Sequence, residues 1–252
     1  MNGATIVFLL VLGAAASYLL YGGGRIVWHL IISKRLTNSI KKFERLDPTA
    51  SQRILFIGDS TGYGTGTSDS RYSIVGRLGA DFPNAHIENF SETGVYLSRA
   101  CRVLKEKLAA PDCEKFNAII IMLGGMNLVH GTPLPLVRRM LRQAIVRSKQ
   151  CGQATIIIGP NNTGLAPMYP SLLACLYRKR AKRFDALYRE VTQEEGVPCV
   201  PLFQEHEDEL SARGLFACDK THPNDEGYGV WYDQMKEVIT TVLKNHDGRP
   251  TS

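Results

Sequence analysis

After Ser51 the sequence settles into short apolar runs separated by longer amphipathic stretches, a pattern that few architectures satisfy. Ile54–Ile57, His86–Phe90, Ala118–Leu123, Thr155–Ile158 and Cys199–Phe203 are rich in apolar residues without a polar face, as strands covered on both sides are. Between and after them, Leu97–Leu108, Leu134–Ser148, Leu172–Glu195 and Gly229–Leu243 carry apolar residues at helical spacing. Strand and helix in alternation predict an α/β fold: a parallel sheet of about five strands with helices on both faces. In such sheets reactive groups gather beyond the carboxyl ends of the strands.

The chain has 252 residues, enough for one substantial core, and one catalytic domain over residues 53–246 is the expectation. The net charge of +6 is unevenly placed. Residues 1–52 hold six Lys/Arg against two acids, +4, which leaves +2 on the remaining 200 residues. A folded nucleic-acid binder would carry its basic footprint on the domain, and no such motif is present, so no nucleic-acid partner is expected. The six cysteines show no CxxC pair and no Cys/His zinc spacing, so no metal site is implied. They fit free thiols in a reducing compartment, while an even count also permits disulfides in an oxidising one.

From Ala4 to Tyr21 the chain is uncharged and almost wholly apolar. As a helix this stretch would be about 27 Å long, close to the ~30 Å of a bilayer core. Gly22-Gly23-Gly24 and Arg25 follow, then Ile26–Ile32 with Trp28 suited to the headgroup level, and one tilted helix running past Arg25 is an alternative. Residues 1–33 are therefore expected to form a transmembrane anchor. A cleaved signal peptide is the competing reading, since Ala14-Ala15-Ala16 offers small residues, but the basic segment that should precede the apolar run is missing. Arg25, Lys34, Arg35, Lys41, Lys42 and Arg45 all follow the span, which predicts a cytoplasmic catalytic domain. Over residues 34–52 a basic linker is expected. Leu36, Ile40, Phe43 and Leu46 give its residues 35–46 the spacing of a helix lying on a membrane or packing on the domain, ended by Asp47-Pro48. Residues 247–252 are expected to be a flexible tail.

Two stretches carry chemistry. The first strand runs into Gly58-Asp59-Ser60-Thr61-Gly62-Tyr63-Gly64, which puts a serine at a strand's carboxyl end in a turn able to offer backbone N–H groups. It lacks the Gly-Lys-Ser/Thr of a P-loop and the GxGxxG of a dinucleotide site. Some 160 residues later comes Asp219-Lys220-Thr221-His222-Pro223. A serine hydroxyl needs a base, and the base needs a carboxylate that fixes its tautomer, and Asp219 with His222 on one loop supply both. The other histidines read as structural, as does Glu205-His206-Glu207, a solvated loop rather than a metal site.

Together these stretches resemble the SGNH/GDSL hydrolase family. Gly94, in Glu88-Asn89-Phe90-Ser91-Glu92-Thr93-Gly94, is similar to that family's second-block glycine, and Asn127, in Gly125-Met126-Asn127, to its third-block asparagine. Gly159-Pro160, the basic stretch Arg178–Arg183 leading to Asp185, and Gly227–Trp231 extend the likeness over residues 53–235. The resemblance implies a three-layer α/β/α, flavodoxin-like fold. It further implies Ser60 as nucleophile, His222 as base then acid, Asp219 orienting His222, and an oxyanion hole of the Ser60 and Gly94 N–H groups with the Asn127 side chain. No cofactor is implied. Leu128 stands where the family has Asp, and a register one residue earlier would put Met126 at the asparagine position.

Gly58–Gly62 also fits the G-x-S-x-G elbow of α/β-hydrolases, where several strands precede the serine. Within the resemblance the expected substrate is an acyl ester, small or lipid-derived. Thioesterase and carbohydrate deacetylase are alternatives, as is a non-catalytic membrane-bound scaffold whose helix Tyr177–Arg183 docks on lipid headgroups.

Overall fold

The computed structural model describes residues 2–110 and 115–246; the expected tail lies outside the described residues. A long helix, α1 (Gly3–Ser39), precedes β1 (Gln52–Gly58), α2 (Ser60–Tyr63), α3 (Ile74–Asp81), β2 (Ala85–Asn89) and α4 (Ser98–Ala109). Then follow β3 (Phe116–Met122), α5 (Gly125–Val129), α6 (Leu134–Cys151), β4 (Gly152–Ile158), α7 (Ser171–Glu194), β5 (Cys199–Val200), α8 (Glu209–Arg213) and α9 (Asp225–His246).

The five strands form one parallel sheet in the order β2-β1-β3-β4-β5. Because side chains alternate along a strand, each central strand supplies both cores. Leu55, Ile57, Ile119, Ile121 and Ile157 pack with residues of α4, α6 and α7. Ile54, Phe56, Ile120, Ile156 and Ile158 pack with residues of α3 and α9. These strands read as unbroken apolar runs because neither face meets water, and the result is the expected α/β/α sandwich. The chain leaves β1 for β2 on one side and reaches β3 on the other. That is the switch point at which a crevice opens in doubly wound sheets.

Two elements differ from the pattern in the sequence. The fifth strand ends at Val200 rather than Phe203, since Pro201 has no N–H to continue a ladder. Helix α3 has no predicted counterpart. Ser73 starts it by accepting from the Gly76 N–H, but the helix is only 8 residues long and too short for a clear periodicity.

The N-terminal segment requires a larger correction. The glycine triplet does not interrupt α1, and no boundary falls at residue 33: one helix runs to Ser39. Its residues 4–21 are exposed throughout, and α1 is long and apolar enough to cross a membrane. At Gly22 the environment changes. Gly22 is buried, and a Cβ there would stand 2.9 Å from Pro170 Cγ, so only glycine allows α1 this close to the loop before α7. The Leu172 N–H donates to the Tyr18 hydroxyl (3.4 Å) and the Arg25 guanidinium to the Pro167 carbonyl.

The helix expected over 35–46 therefore exists only as far as Ser39. Beyond it the chain is extended, and Arg45 exchanges two backbone hydrogen bonds with Ile87 (3.0 and 2.7 Å). Strand β2 is the sheet edge, and pairing its free backbone groups outweighs the helical spacing of Leu36, Ile40 and Phe43. The Arg45 guanidinium donates to the Gly79 and Phe82 carbonyls at the end of α3, which locks the segment in place.

Candidate active site

Strand β1 ends in Gly58, Asp59 caps α2 by accepting from the Thr61 N–H (3.0 Å), and Ser60 opens the helix. One short turn is all that forms, because Gly64 takes a left-handed backbone (φ 94°) and closes it. The turn is held from three sides. The Thr65 N–H donates to the Ser60 carbonyl (3.0 Å), the Tyr228 hydroxyl to the Thr65 carbonyl (2.7 Å), and Asn89 Nδ2 to the Gly62 carbonyl (3.3 Å). Burial pushes the Tyr228 phenol well above its usual range, so it stays a donor.

Asp219 lies wholly out of solvent. Its Oδ1 accepts from the N–H groups of Thr221 (3.1 Å) and His222 (3.0 Å), and Oδ2 lies 2.6 Å from His222 Nδ1. This tight loop requires Lys220 to adopt φ 57°, among described residues the single non-glycine with a positive value. His222 Nε2 is 2.7 Å from Ser60 Oγ. Burial alone would raise the Asp219 carboxyl, but the hydrogen bonds and charge of His222 outweigh it and hold the group below the usual carboxylate value. An ionised carboxylate only accepts, so Nδ1 carries the hydrogen and Nε2 is free to accept from the serine hydroxyl.

The Ser60 hydroxyl opens on a cleft of about 660 Å³, within the range of small-molecule sites. Thr93, Gly94, Met126, Asn161, Met168 and Tyr169 are among the residues that line it. Gly94 has a left-handed backbone (φ 72°) with open space where a Cβ would project.

Asn127 is placed differently from its expected role. It is 1% exposed and does not line the cleft. Its Oδ1 accepts from the Leu97 N–H (2.8 Å) and its Nδ2 donates to Thr132 Oγ1 (3.2 Å). Its carbonyl and one of its two N–H groups are thus engaged inside the domain, and of the two neighbouring residues it is Met126 that lines the cleft. Gly125 and Met126 line the cleft, and Asn127 follows them into the interior.

The remaining wall was not expected at all. Ile26, Leu30, Ser33, Lys34, Thr37 and Asn38 of α1 line the cleft. Ser33 Oγ reaches 3.5 Å from His222 Nδ1, and the Thr37 and Thr65 hydroxyls share a hydrogen bond of 2.9 Å. These positions fall on one helical stripe, visible in the sequence, but nothing local indicates that the stripe faces a site.

A doubly wound sheet of this order, with a serine directly after its first strand and an Asp-x-x-His loop ahead of its last helix, defines an SGNH-type α/β/α hydrolase rather than an α/β-hydrolase. The GDSL-like lipase/acylhydrolase family model matches residues 56–230, and the chain belongs to that family. No curated protein matches the chain. Among solved structures, a lipolytic G-D-S-L family protein from Veillonella parvula shares 18% identity (TM-score 0.59), covering 75% of this chain and 98% of its own. A psychrotrophic esterase, EstA from Pseudoalteromonas sp., inhibited by monoethylphosphonate, shares 19% identity (TM-score 0.57), covering 77% and 99%. TesA shares 18% (TM-score 0.59), covering 76% and 99%. At these identities the likeness is one of fold.

Two outcomes test the local geometry. A Cβ at Gly66, whose φ is 101°, would stand 2.5 Å from the Pro223 carbonyl oxygen and 3.1 Å from His222 Cβ. Gly66→Ala should therefore lower stability in a urea titration by about 2–4 kcal/mol. Because the folded Asp219 carboxyl is held below its usual value of 3.8, its contribution is present above that pH and lost as pH falls through the folded value. The gap in melting temperature between the wild type and Asp219→Asn should be widest near neutrality and close in acid below pH 3.8.

Proposed function

We propose that the chain hydrolyses carboxylic acyl esters by acyl transfer to Ser60, and that it does so beside a membrane. The observation that carries this reading is the row Ser60 Oγ, His222 and Asp219, joined by contacts of 2.7 and 2.6 Å and opening on the cleft. His222 Nε2 takes the hydroxyl proton as Oγ forms its bond to the acyl carbon. Collapse of the tetrahedral intermediate breaks the ester C–O bond, and the departing alcohol takes that proton from His222. Water, deprotonated by the same nitrogen, then releases the acid and restores Ser60.

The developing oxyanion is assigned to the backbone N–H groups of Ser60 and Gly94. Asn127 is left out because it is buried and does not line the cleft. The apolar share of the cleft, with Leu30, Val129, Met168 and Leu173, favours an acyl chain over an acetylated sugar.

Residues 4–21 of α1 are assigned as the membrane span. Their exposure and apolar composition support this, and the cationic residues that follow support a cytoplasmic domain. A reporter fused to the C-terminus should be active when it is one that works only in the cytoplasm and silent when it works only across the membrane. The reverse would invert the topology.

Purified protein should hydrolyse short-chain p-nitrophenyl esters, and a fluorophosphonate should modify Ser60 in peptide mapping. Ser60→Ala should lose at least about 10³-fold in kcat/KM. Undiminished turnover by that variant would remove Ser60 from the mechanism.

A further inference from the structure

The wall that α1 contributes has a direction. Its cleft-lining residues recur at helical spacing and change character along the axis, with Ile26 and Leu30 toward the exposed N-terminal half and Lys34 and Asn38 at the other end. Ser60 sits near the change. Ser33 approaches His222, and Thr37 bonds to Thr65, whose N–H donates to the Ser60 carbonyl. From Ser33 back to Gly22, where α1 leaves the domain, is about 16 Å along the helix. Ile26 and Leu30 lie in that interval and line the cleft together with Met168, Tyr169 and Leu173.

Beyond Gly22 the same helix continues as the uncharged, exposed segment Ala4–Tyr21. One helix therefore carries apolar residues both in the segment suited to a bilayer and in the wall of the cleft. Arg25, the one charge on this path, is turned aside, its guanidinium bonded to the Pro167 carbonyl.

From this we infer that α1 is the acyl-binding wall of the enzyme. The substrate is a long-chain acyl ester of the bilayer, whose acyl chain lies along Ile26 and Leu30 while its alcohol portion occupies the Lys34–Asn38 end. The inference rests on the hydrolase reading above and gives it a substrate class. Anchor and site are then one device, in which the helix that holds the domain at the membrane also guides the chain toward Ser60. Since each buried methylene is worth about fourfold in binding, turnover should rise with acyl length until the wall between Ser33 and Gly22 is filled.

The test uses the full-length protein in phospholipid nanodiscs and a fluorophosphonate bearing a dodecyl chain with a terminal diazirine. After reaction at Ser60 and irradiation, peptide mapping should find cross-links in residues 22–30 of α1 or in residues 168–173. Labelling of Ser60 with cross-links only in residues 93–94 or 126–130 would overturn the acyl path and leave the hydrolase reading standing. Absence of label on Ser60 would overturn both. In parallel, Leu30→Glu, checked for folding by retained fluorophosphonate labelling, should cut kcat/KM for p-nitrophenyl dodecanoate about tenfold more than for the butyrate, because the acyl path now holds a charge. Equal losses on the two esters, or none, would count against α1 as the acyl wall, and wild-type cross-linking decides the matter if the variant does not fold.

Discussion

An ionised carboxylate with no access to water is costly by several kcal/mol unless its lone pairs are met by donors. Asp219 is such a group, and the loop around it is shaped by that requirement. Two backbone N–H groups and one ring N–H converge on it, all from the two or three residues that follow. For so short a segment to turn back on its own side chain, Lys220 must enter the left-handed region. Lys220 is held there by its N–H on the Ala217 carbonyl and by its own carbonyl, which accepts from Met168. Once the carboxylate is satisfied, the imidazole has no freedom left, and Nε2 points to where β1 delivers Ser60.

Under the proposed reading, helix α1 answers two constraints with one element. A span needs uninterrupted apolar length, and a cleft needs a wall whose polarity matches the ligand along its course. Making the helix continuous through Gly22–Gly24 sacrifices about 1 kcal/mol of helix propensity per glycine. At Gly22 the return is visible: without a side chain the helix lies directly on Pro170 and is fixed to the domain. Edge strand β2 is treated similarly, its open backbone at Ile87 closed by Arg45 rather than left for another chain.

Short-range pattern was legible in the sequence, and long-range packing was not. The strands could be found because Ile runs unbroken over both faces of β3 and β4, and Asp219 with His222 because the pair lies on one loop. Ser60 followed from its place after the first strand. By contrast, the fate of residues 35–46 turned on competition between a helical stripe and an open sheet edge more than 40 residues away in sequence, which spacing cannot weigh. The cleft-facing stripe of α1 was hidden for the same reason, since Gly22 and Pro170 are joined only by the fold. The break in β5 at Pro201 was available locally and is the kind of signal a proline gives.

Asn127 shows how residue type can mislead where geometry decides. Matching a Gly-x-Asn spacing favours Gly125 and Asn127, yet the turn after β3 bends at Gly124, whose φ of 128° suits no other residue. That bend carries Met126 to the cleft and Asn127 into the interior. There the Asn127 oxygen accepts from Leu97, the residue that precedes α4 and gives it no side-chain cap. Leu97 lies three residues after Gly94, so the amide ties down the loop that brings the Gly94 backbone to the cleft. In the proposed reaction Asn127 therefore serves the oxyanion indirectly, by fixing a backbone donor in place, and the rate rests on how rigidly Ser60 and Gly94 hold their two N–H groups.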